Sequence, residues 1–245
     1  MKWRDLTILD FHEEHLLAVA CDSAGGIGGK LHDVVKAPPL MVGYHTAKVA
    51  MLELICVHAT PLLLSNTLSV EMDPTGAEMM KGIEMLLMEY DPRHAIAITG
   101  STEENFKVSA TGIGITILGE ISKSQWPLKK TQRCDLAVMI GEAAYGLEVL
   151  QKEKEKCFGL HHARMIRGLP FVSEVVPGGS RGMHHEIEII ETSENLRFVP
   201  TENGAGVIHK SCGPATALLV TLHREYLPKL KEMLEIPVCV LGTFL

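Results

Sequence analysis

Residues 21–30, Cys-Asp-Ser-Ala-Gly-Gly-Ile-Gly-Gly-Lys, combine the residue types that bind phosphate groups. They follow residues 16–20, an apolar run that predicts a buried strand. Successive glycines let the backbone turn sharply and present N–H groups to phosphate oxygens, Lys30 adds a positive charge, and Asp22 could bind the Mg²⁺ that accompanies a nucleotide. The spacing is that of neither the dinucleotide fingerprint nor the P-loop, so a glycine-rich turn without a ligand stays open as the alternative.

Residues 100–106, Gly-Ser-Thr-Glu-Glu-Asn-Phe, are a second chemically rich segment, and they follow another predicted strand. Hydroxyls, acids and an amide at the exit of a strand are typical of a ligand-facing loop, although a solvated turn has the same composition. Glu53 is unusual for a different reason, because it lies in an apolar helical pattern where an unpaired carboxylate is costly to bury. We therefore expect a cation near Glu53, whereas Asp5, before the first predicted strand, indicates by itself only an exposed acid.

The composition of the chain limits its possible functions. Its 245 residues, 46% of them hydrophobic, are enough for one large domain or two ordinary ones. The net charge of −7 and the pI of about 5.9 argue against nucleic-acid and anionic-membrane partners. The six cysteines form no C-x-x-C, and no apolar run approaches a membrane span. We therefore expect a cytoplasmic protein with reduced thiols and neither a zinc nor a redox site.

Hydrophobic periodicity predicts a chain of mixed strands and helices. Residues 121–133 are the clearest linker-like passage, so we place a domain boundary there. The prolines at 38–39 predict that the first helix begins only near residue 43. The predicted strands cover residues 6–11, 15–20, 61–70, 94–99, 111–120, 135–141, 186–190 and 237–241. The predicted helices cover residues 43–57, 75–90, 143–156 and 226–234, and residues 217–224 fit either type.

Taken in order, the motifs D-S-A-G-G-I-G-G-K, H-A-T-P and G-S-T-E-E-N-F resemble those of the aminoimidazole ribonucleotide synthetase-like (PurM-like) superfamily of ATP-using enzymes. The similarity covers nearly the whole chain and includes the later turns G-S-R-G and S-C-G-P-A-T. It implies an α+β fold of two domains and a homodimer. Residues 1–124 would bind ATP and metal and pair their sheet with a second copy into a dimeric barrel. Residues 125–245 would form a C-terminal α/β sandwich domain.

Within this superfamily, the segments R-D-L, N-T-L-S-V-E-M and T-G-S-T-E-E-N-F are most similar to the α-ribazole kinases. That resemblance implies transfer of the γ-phosphoryl group of ATP, with Mg²⁺, to the 5′-hydroxyl of α-ribazole, a step in cobamide salvage. Two other interpretations stay open. One is a phosphotransferase like thiamine-monophosphate kinase, and the other is a non-catalytic nucleotide-binding regulatory subunit.

The resemblance also implies which acids bind the metal. The family's acids match here at Asp5, Asp22 and Glu53, each of which offers the carboxylate oxygens that Mg²⁺ prefers. Ser101 stands where the family has a further acid, so that ligand is missing or is supplied by an acid that follows. His58 replaces a glycine of the family and would reshape the pocket. The implied metal ligands are Asp5, Asp22, Glu53 and Glu103.

The remaining assignments concern the nucleotide, the acceptor and catalysis. Lys30 would offset the charge that develops on the transferred phosphoryl group, and the candidate general base is Glu104, with Glu71 as the alternative. Asp22, Lys30 and Glu104 form the predicted catalytic set. Ser23 and Glu71 are predicted to contact the acceptor. The predicted ATP contacts are Gly25, Gly26, Gly28, Gly29, Thr102 and Asn105.

Overall fold

The computed structural model describes residues 1–93, 96–151 and 158–245 of the chain. These residues form two compact units, Met1–Trp126 and Pro127–Leu245, each with a β-sheet of its own. The predicted strand over 94–99 and the predicted helix over 143–156 fall in part on residues 94–95 and 152–157, which lie outside the described residues. None of the helices in the described ranges combines the length and the apolar composition that crossing a bilayer requires.

The first unit consists of a six-stranded sheet, a small pair of parallel strands and two long helices. The large sheet has the strand order β1-β2-β3-β8-β6-β7, in which only β6 and β7 are parallel neighbours. A π-helical turn, Met72–Gly76, precedes the second helix. The elements are β1 (Lys2–Trp3), β2 (Leu6–Asp10), β3 (His15–Gly25), β4 (Ile27–Gly28), β5 (Val35–Lys36), α1 (Pro39–Cys56), β6 (Thr60–Leu68), α2 (Ala77–Tyr90), β7 (Ala97–Thr102) and β8 (Gly112–Ser122).

One face of the large sheet is covered by α1, which packs against β3 and β8, and α2 packs against α1. Burial alternates along β3 and β8, so residues such as Ala18 and Ile117 lie on the covered face. The two helices approach each other at glycines: a β-carbon built at Gly43 would lie 2.2 Å from the backbone oxygen of Met79. At Gly82 the corresponding distance to a backbone oxygen of α1 is 1.9 Å. Only glycine therefore permits this helix pair to pack as it does.

Two predictions for this unit need correction. The strand predicted over 15–20 continues as β3 to Gly25, because its pairing with β8 continues to the Gly25↔Gly112 pair. The first helix begins at Pro39 and not near residue 43. Proline is compatible with the first turn of a helix, where the missing N–H group would have no intrahelical partner.

The second unit contains a five-stranded antiparallel sheet with the strand order β10-β12-β9-β13-β11. Every residue of β9 is buried, and the strand predicted over 135–141 is confirmed. The elements are β9 (Asp135–Gly141), α3 (Leu147–Gln151), α4 (Leu160–Arg167), β10 (Val172–Pro177), α5 (Gly182–Glu194), β11 (Phe198–Pro200), α6 (Glu202–Val207), β12 (Ala217–His223), α7 (Leu227–Glu232) and β13 (Val238–Phe244).

The strand predicted over 186–190 is wrong, because these residues belong to α5. Their alternation of acids and aliphatic residues has the period of a strand, but Met183, Ile187 and Ile190 are also spaced to share one face of a helix. That face is buried in a core that includes Val176 and Leu219 of the sheet. Packing against the sheet thus decides between the two periods.

Candidate functional site

The sheet register brings the chemically rich segments of the first unit to one edge. Gly25 at the end of β3 pairs with Gly112 at the start of β8. Leu68 at the end of β6 pairs with Ile113 of β8 on one side and with Thr102 at the end of β7 on the other. The loops that leave β3, β6 and β7 therefore start side by side. We call this region, residues 22–36, 68–75, 102–106 and 111–112, the loop edge.

Asp33 holds the glycine-rich loop in place. Its side chain is buried, with 5% relative exposure. One carboxylate oxygen accepts a hydrogen bond from the Thr111 backbone N–H, and the other accepts from the Thr111 hydroxyl and from the Lys30 backbone N–H, each at 2.7 Å. Burial alone would raise the pKa of Asp33, but these hydrogen bonds outweigh it and lower the pKa below its ordinary value. The loop is thus fixed to the start of β8 by an ionised carboxylate.

The four glycines of this loop differ in what surrounds them. Gly28 is packed closely, because a β-carbon built there would lie 2.4 Å from the Thr111 hydroxyl oxygen and 2.8 Å from an Asp33 carboxylate oxygen. Gly25 and Gly29, by contrast, have nothing within 4 Å of the equivalent position. Gly28 is therefore required by packing, whereas the other two leave open space beside the backbone that a ligand could approach.

Lys30, at the end of the glycine-rich loop, forms an ion pair with Glu71, which follows β6. The ammonium nitrogen lies 2.6 Å from one carboxylate oxygen of Glu71, and the Thr75 hydroxyl donates to the other. Burial favours the protonated form of Glu71, but these hydrogen bonds outweigh it and lower its pKa to about 2. Both oxygens of Glu71 are therefore used within the chain, which does not favour the predicted acceptor contact.

Asp22 lies in β3 and is partly buried. It pairs in register with Ile115, and burial raises its pKa to about 6, although the Ser23 backbone N–H lowers it in part. Among residues 1–93, 96–151 and 158–245, no ion pair or side-chain hydrogen bond engages its carboxylate. A partly buried carboxylate that accepts a backbone hydrogen bond but pairs with no cation of the described residues is the kind of group that a bound cation would stabilise.

The exit of β7 carries several other predicted residues. Glu103 closes this turn, because its carboxylate accepts hydrogen bonds from the backbone N–H groups of Asn105, at 2.7 Å, and Phe106, at 3.3 Å. Its own backbone N–H donates to the carbonyl of Leu68 and so ties the turn to β6. Glu104 is exposed and accepts a long hydrogen bond of 3.4 Å from Thr102. These residues therefore lie at the loop edge, and the Glu103 carboxylate already accepts hydrogen bonds within its own turn.

Asp5 and Glu53, the remaining predicted metal ligands, differ in their distance from the loop edge. Asp5 is exposed and lies just before β2. The β2–β3 pair nearest to it, Thr7↔Val19, places Asp5 toward the end of β3 that carries Asp22. Glu53 is fourteen residues after Pro39 in α1, and thus about 21 Å along the helix axis from the end that follows the glycine-rich loop. The structure therefore brings Asp5 toward Asp22 but leaves Glu53 away from the loop edge.

In the parts of the chain that the structure describes, no three or more His, Cys, Asp or Glu side chains form a group that could hold a metal ion. The four predicted acids thus do not form a complete protein cage. Mg²⁺ bound with a nucleotide commonly uses only one or two carboxylates, together with phosphate oxygens and water. Asp22 fits that pattern, and the other ligands stay predictions.

Sequence reasoning missed Asp33, Thr111 and Lys36. The Lys36 ammonium donates to the backbone carbonyls of Lys30 and Leu31 and so links the two ends of this turn. An acid three residues after Lys30 is a turn signal that could have identified Asp33, but its partner Thr111 is remote in sequence. His58, which stands in place of a glycine, has φ of 60° in the left-handed region that glycine favours.

No protein-family model matches this chain, and no curated protein matches it by sequence. Its fold, however, is similar to that of solved structures. The thiamine-monophosphate kinase of Stenotrophomonas maltophilia K279a has a TM-score of 0.65 and 16% identity, over 98% of this chain and 89% of that one. AaThiL complexed with AMPPCP and TMP has a TM-score of 0.64 and 13% identity, over 98% and 84%.

PurL of T. maritima complexed with ADP is also similar, with a TM-score of 0.66 and 11% identity over 98% of this chain but only 42% of that one. Likeness at these identities shows the fold. The chain has the aminoimidazole ribonucleotide synthetase-like (PurM-like) fold, and the predicted α+β class is confirmed.

Proposed function

We propose that this protein is an ATP-dependent kinase that transfers the γ-phosphoryl group to a small molecule. The observation that carries the proposal is the partly buried carboxylate of Asp22, which pairs with no cationic side chain of the described residues and lies three residues before the glycine-rich loop that Asp33 fixes. Similar folds with AMPPCP or ADP bound support the same conclusion. Phosphoryl transfer requires positioning and charge stabilisation more than covalent chemistry, and this edge offers both.

The residues of the loop edge divide these tasks. Asp22, with Asp5 near the same end of β3, would hold Mg²⁺, which offsets the negative charge of the phosphates when it is bound. The open backbone at Gly25 and Gly29 would donate N–H groups to phosphate oxygens. Lys30 would place its ammonium near the same oxygens. Thr102, Asn105 and Ser23 stay the proposed contacts to nucleotide and acceptor.

Two acceptors are supported by different observations. The thiamine-monophosphate kinases among the similar structures are matched over 84% to 89% of their length, which favours thiamine monophosphate. The segments N-T-L-S-V-E-M and T-G-S-T-E-E-N-F favour α-ribazole. The two differ chemically, because a phosphate oxygen is already anionic, whereas the 5′-hydroxyl of α-ribazole must lose a proton. For α-ribazole the exposed Glu104 is the proposed general base.

The acceptor is identified by measuring ADP release from Mg·ATP with each compound and by detecting the phosphorylated product in a mass spectrum. We expect one of the two to raise ADP release well above the rate without acceptor. The Glu104→Gln variant should slow transfer to α-ribazole and leave transfer to thiamine monophosphate nearly unchanged. Nucleotide binding without turnover of either compound would instead favour a regulatory nucleotide-binding subunit.

We also propose a homodimer that covers the second face of the large sheet. On that face the register places apolar residues in two neighbouring rows across the strands, Leu9 beside Leu17 in one and Val19, Leu118 and Leu63 in the other. Leu9 is 45% exposed and the others are only partly buried. An apolar sheet face needs a cover. Sedimentation equilibrium should give the mass of a dimer, and Val19→Lys should shift it toward that of a monomer.

A further inference from the structure

The ion pair between Lys30 and Glu71 joins two segments of the loop edge that are far apart in sequence. Lys30 ends the glycine-rich loop, and Glu71 lies between β6 and α2. The 2.6 Å distance is that of a charge-assisted hydrogen bond, and the lysine side chain is only 16% exposed. The Glu71 side chain is 36% exposed, so the lysine is the better shielded partner of the pair.

Glu71 is itself held by the turn that follows it. Its backbone carbonyl accepts a hydrogen bond of 2.9 Å from the Gly76 N–H, and its second carboxylate oxygen accepts one from the hydroxyl of Thr75, which is buried. Just before it, the Ser69 N–H donates to the carbonyl of Gly112 in β8. The Glu71 carboxylate is thus held in place by the end of the sheet and by the turn that precedes α2. It does not belong to the glycine-rich loop.

Lys30, by contrast, has a flexible four-carbon side chain whose ammonium needs an external partner to stay in one place. The Lys30 backbone N–H is already fixed by Asp33, at 2.7 Å. Glu71 fixes the other end of the same residue. Main chain and side chain of Lys30 are therefore held from two directions.

We propose that Glu71 is a positioning residue, which holds the Lys30 ammonium at the place where it meets the phosphates of ATP. The proposal rests on the proposed function and names a role for Glu71 that differs from contact with the acceptor. In this role Glu71 acts through Lys30, the cation that its carboxylate pairs with. A carboxylate with a pKa near 2 is also a poor general base at neutral pH.

A double-mutant cycle tests this role. The variants are Glu71→Gln, Lys30→Met and the double variant, and the readouts are the affinity for Mg·ATP by calorimetry and kcat and KM for ADP release. Glu71→Gln should weaken binding or turnover by about tenfold in the wild-type background, since it removes a charge-assisted partner. In the Lys30→Met background it should have less than about a twofold further effect. Equal losses in both backgrounds would overturn the proposal.

The matched control is Glu78→Gln. Glu78 pairs with Lys81 at the same 2.6 Å distance, but both lie exposed on α2. This variant should leave nucleotide affinity and turnover unchanged, so that a loss common to both glutamate variants would contradict a specific role for Glu71.

A readout that does not need ATP separates this proposal from the proposed function. The rate of Lys30 acylation by an N-hydroxysuccinimide ester, followed by peptide mass spectrometry, should rise several-fold in Glu71→Gln and stay at the wild-type rate in Glu78→Gln. An unchanged rate would show that Glu71 does not hold Lys30 and would overturn the proposal. Absence of ATP binding by the wild-type protein, with faster acylation in Glu71→Gln, would instead contradict the proposed function alone.

Discussion

Asp33 accepts two hydrogen bonds from Thr111, 78 positions further along the chain, each at 2.7 Å. This contact fixes the glycine-rich loop to the start of β8 and so determines where the loop lies relative to Asp22. The position of the proposed nucleotide site therefore depends on this buried, hydrogen-bonded pair.

Replacing Asp33 by alanine should lower the free energy of unfolding by about 3 kcal/mol, because it leaves buried donors of Thr111 and Lys30 without an acceptor. Urea denaturation of Asp33→Ala, Thr111→Val and the double variant measures this loss. The two substitutions should be non-additive, since both remove the bond between the Thr111 hydroxyl and the Asp33 carboxylate, whereas only Asp33→Ala also removes the two backbone N–H bonds. Additive losses would show that the pair does not act as a unit.

Replacing Gly28 or Gly29 by alanine should change the stability of the fold to very different extents. Gly28→Ala would place its methyl group against Thr111 and Asp33 and should destabilise the fold by a few kcal/mol. Gly29→Ala meets no atom within 4 Å and should be close to the wild-type protein in thermal melting. If ATP approaches the open side of the loop, Gly29→Ala should still weaken Mg·ATP binding. Equal stability of the two variants would contradict the packing described for Gly28.

Asp22→Asn should stabilise the protein without ligand at neutral pH. The folded protein holds the Asp22 proton up to a pKa of about 6, above the ordinary value of 3.8, so the native state binds more protons between these values. Stability contributed by Asp22 is thus present below pH 3.8 and is lost as the pH rises through 6. Denaturation curves should show no advantage of the Asp22→Asn variant near pH 4 and an advantage of about 1–3 kcal/mol above pH 6. A variant less stable than wild type at pH 7 would contradict this.

Glu71 should have the opposite pH dependence. Its pKa in the folded protein is about 2, below the ordinary 4.5, so its stabilising contribution is present above pH 4.5 and is lost as the pH falls toward 2. The stability difference between wild type and Glu71→Gln should therefore be constant from pH 5 to 7 and shrink in acid. In Glu78→Gln, whose ion pair is exposed, the difference from wild type should be small throughout.

The sequence was most informative where a signal is local. The burial of β9 follows from an uninterrupted apolar run, and the segments before and after the glycines identify the loop edge. It was misleading over 186–190, where alternating acids fit a strand, although the sheet of the second unit covers a helical face there. Tertiary packing decided for the helical period, although the local alternation favoured a strand.

Long-range partners were beyond prediction from spacing. Lys30 and Glu71 were predicted at the site separately, but their contact with each other depends on β3 and β6 both pairing with β8. The resemblance likewise aligned Glu53 with a metal-binding acid, whereas its place in α1 is far from the start of that helix. Motif matching identifies the types of residue at a site, but the distances between those residues follow only from the fold.

The central claim, that the Asp22 carboxylate binds the cation of Mg·ATP, is tested most directly by isothermal titration calorimetry of Mg·ATP into wild type and Asp22→Asn. Asp10→Asn is the matched control, because Asp10 lies at the opposite end of the same sheet in an exposed ion pair with Lys123. We predict Mg²⁺-dependent binding by wild type and Asp10→Asn and its loss in Asp22→Asn. Equal Mg²⁺-dependent affinity in all three proteins would contradict the account.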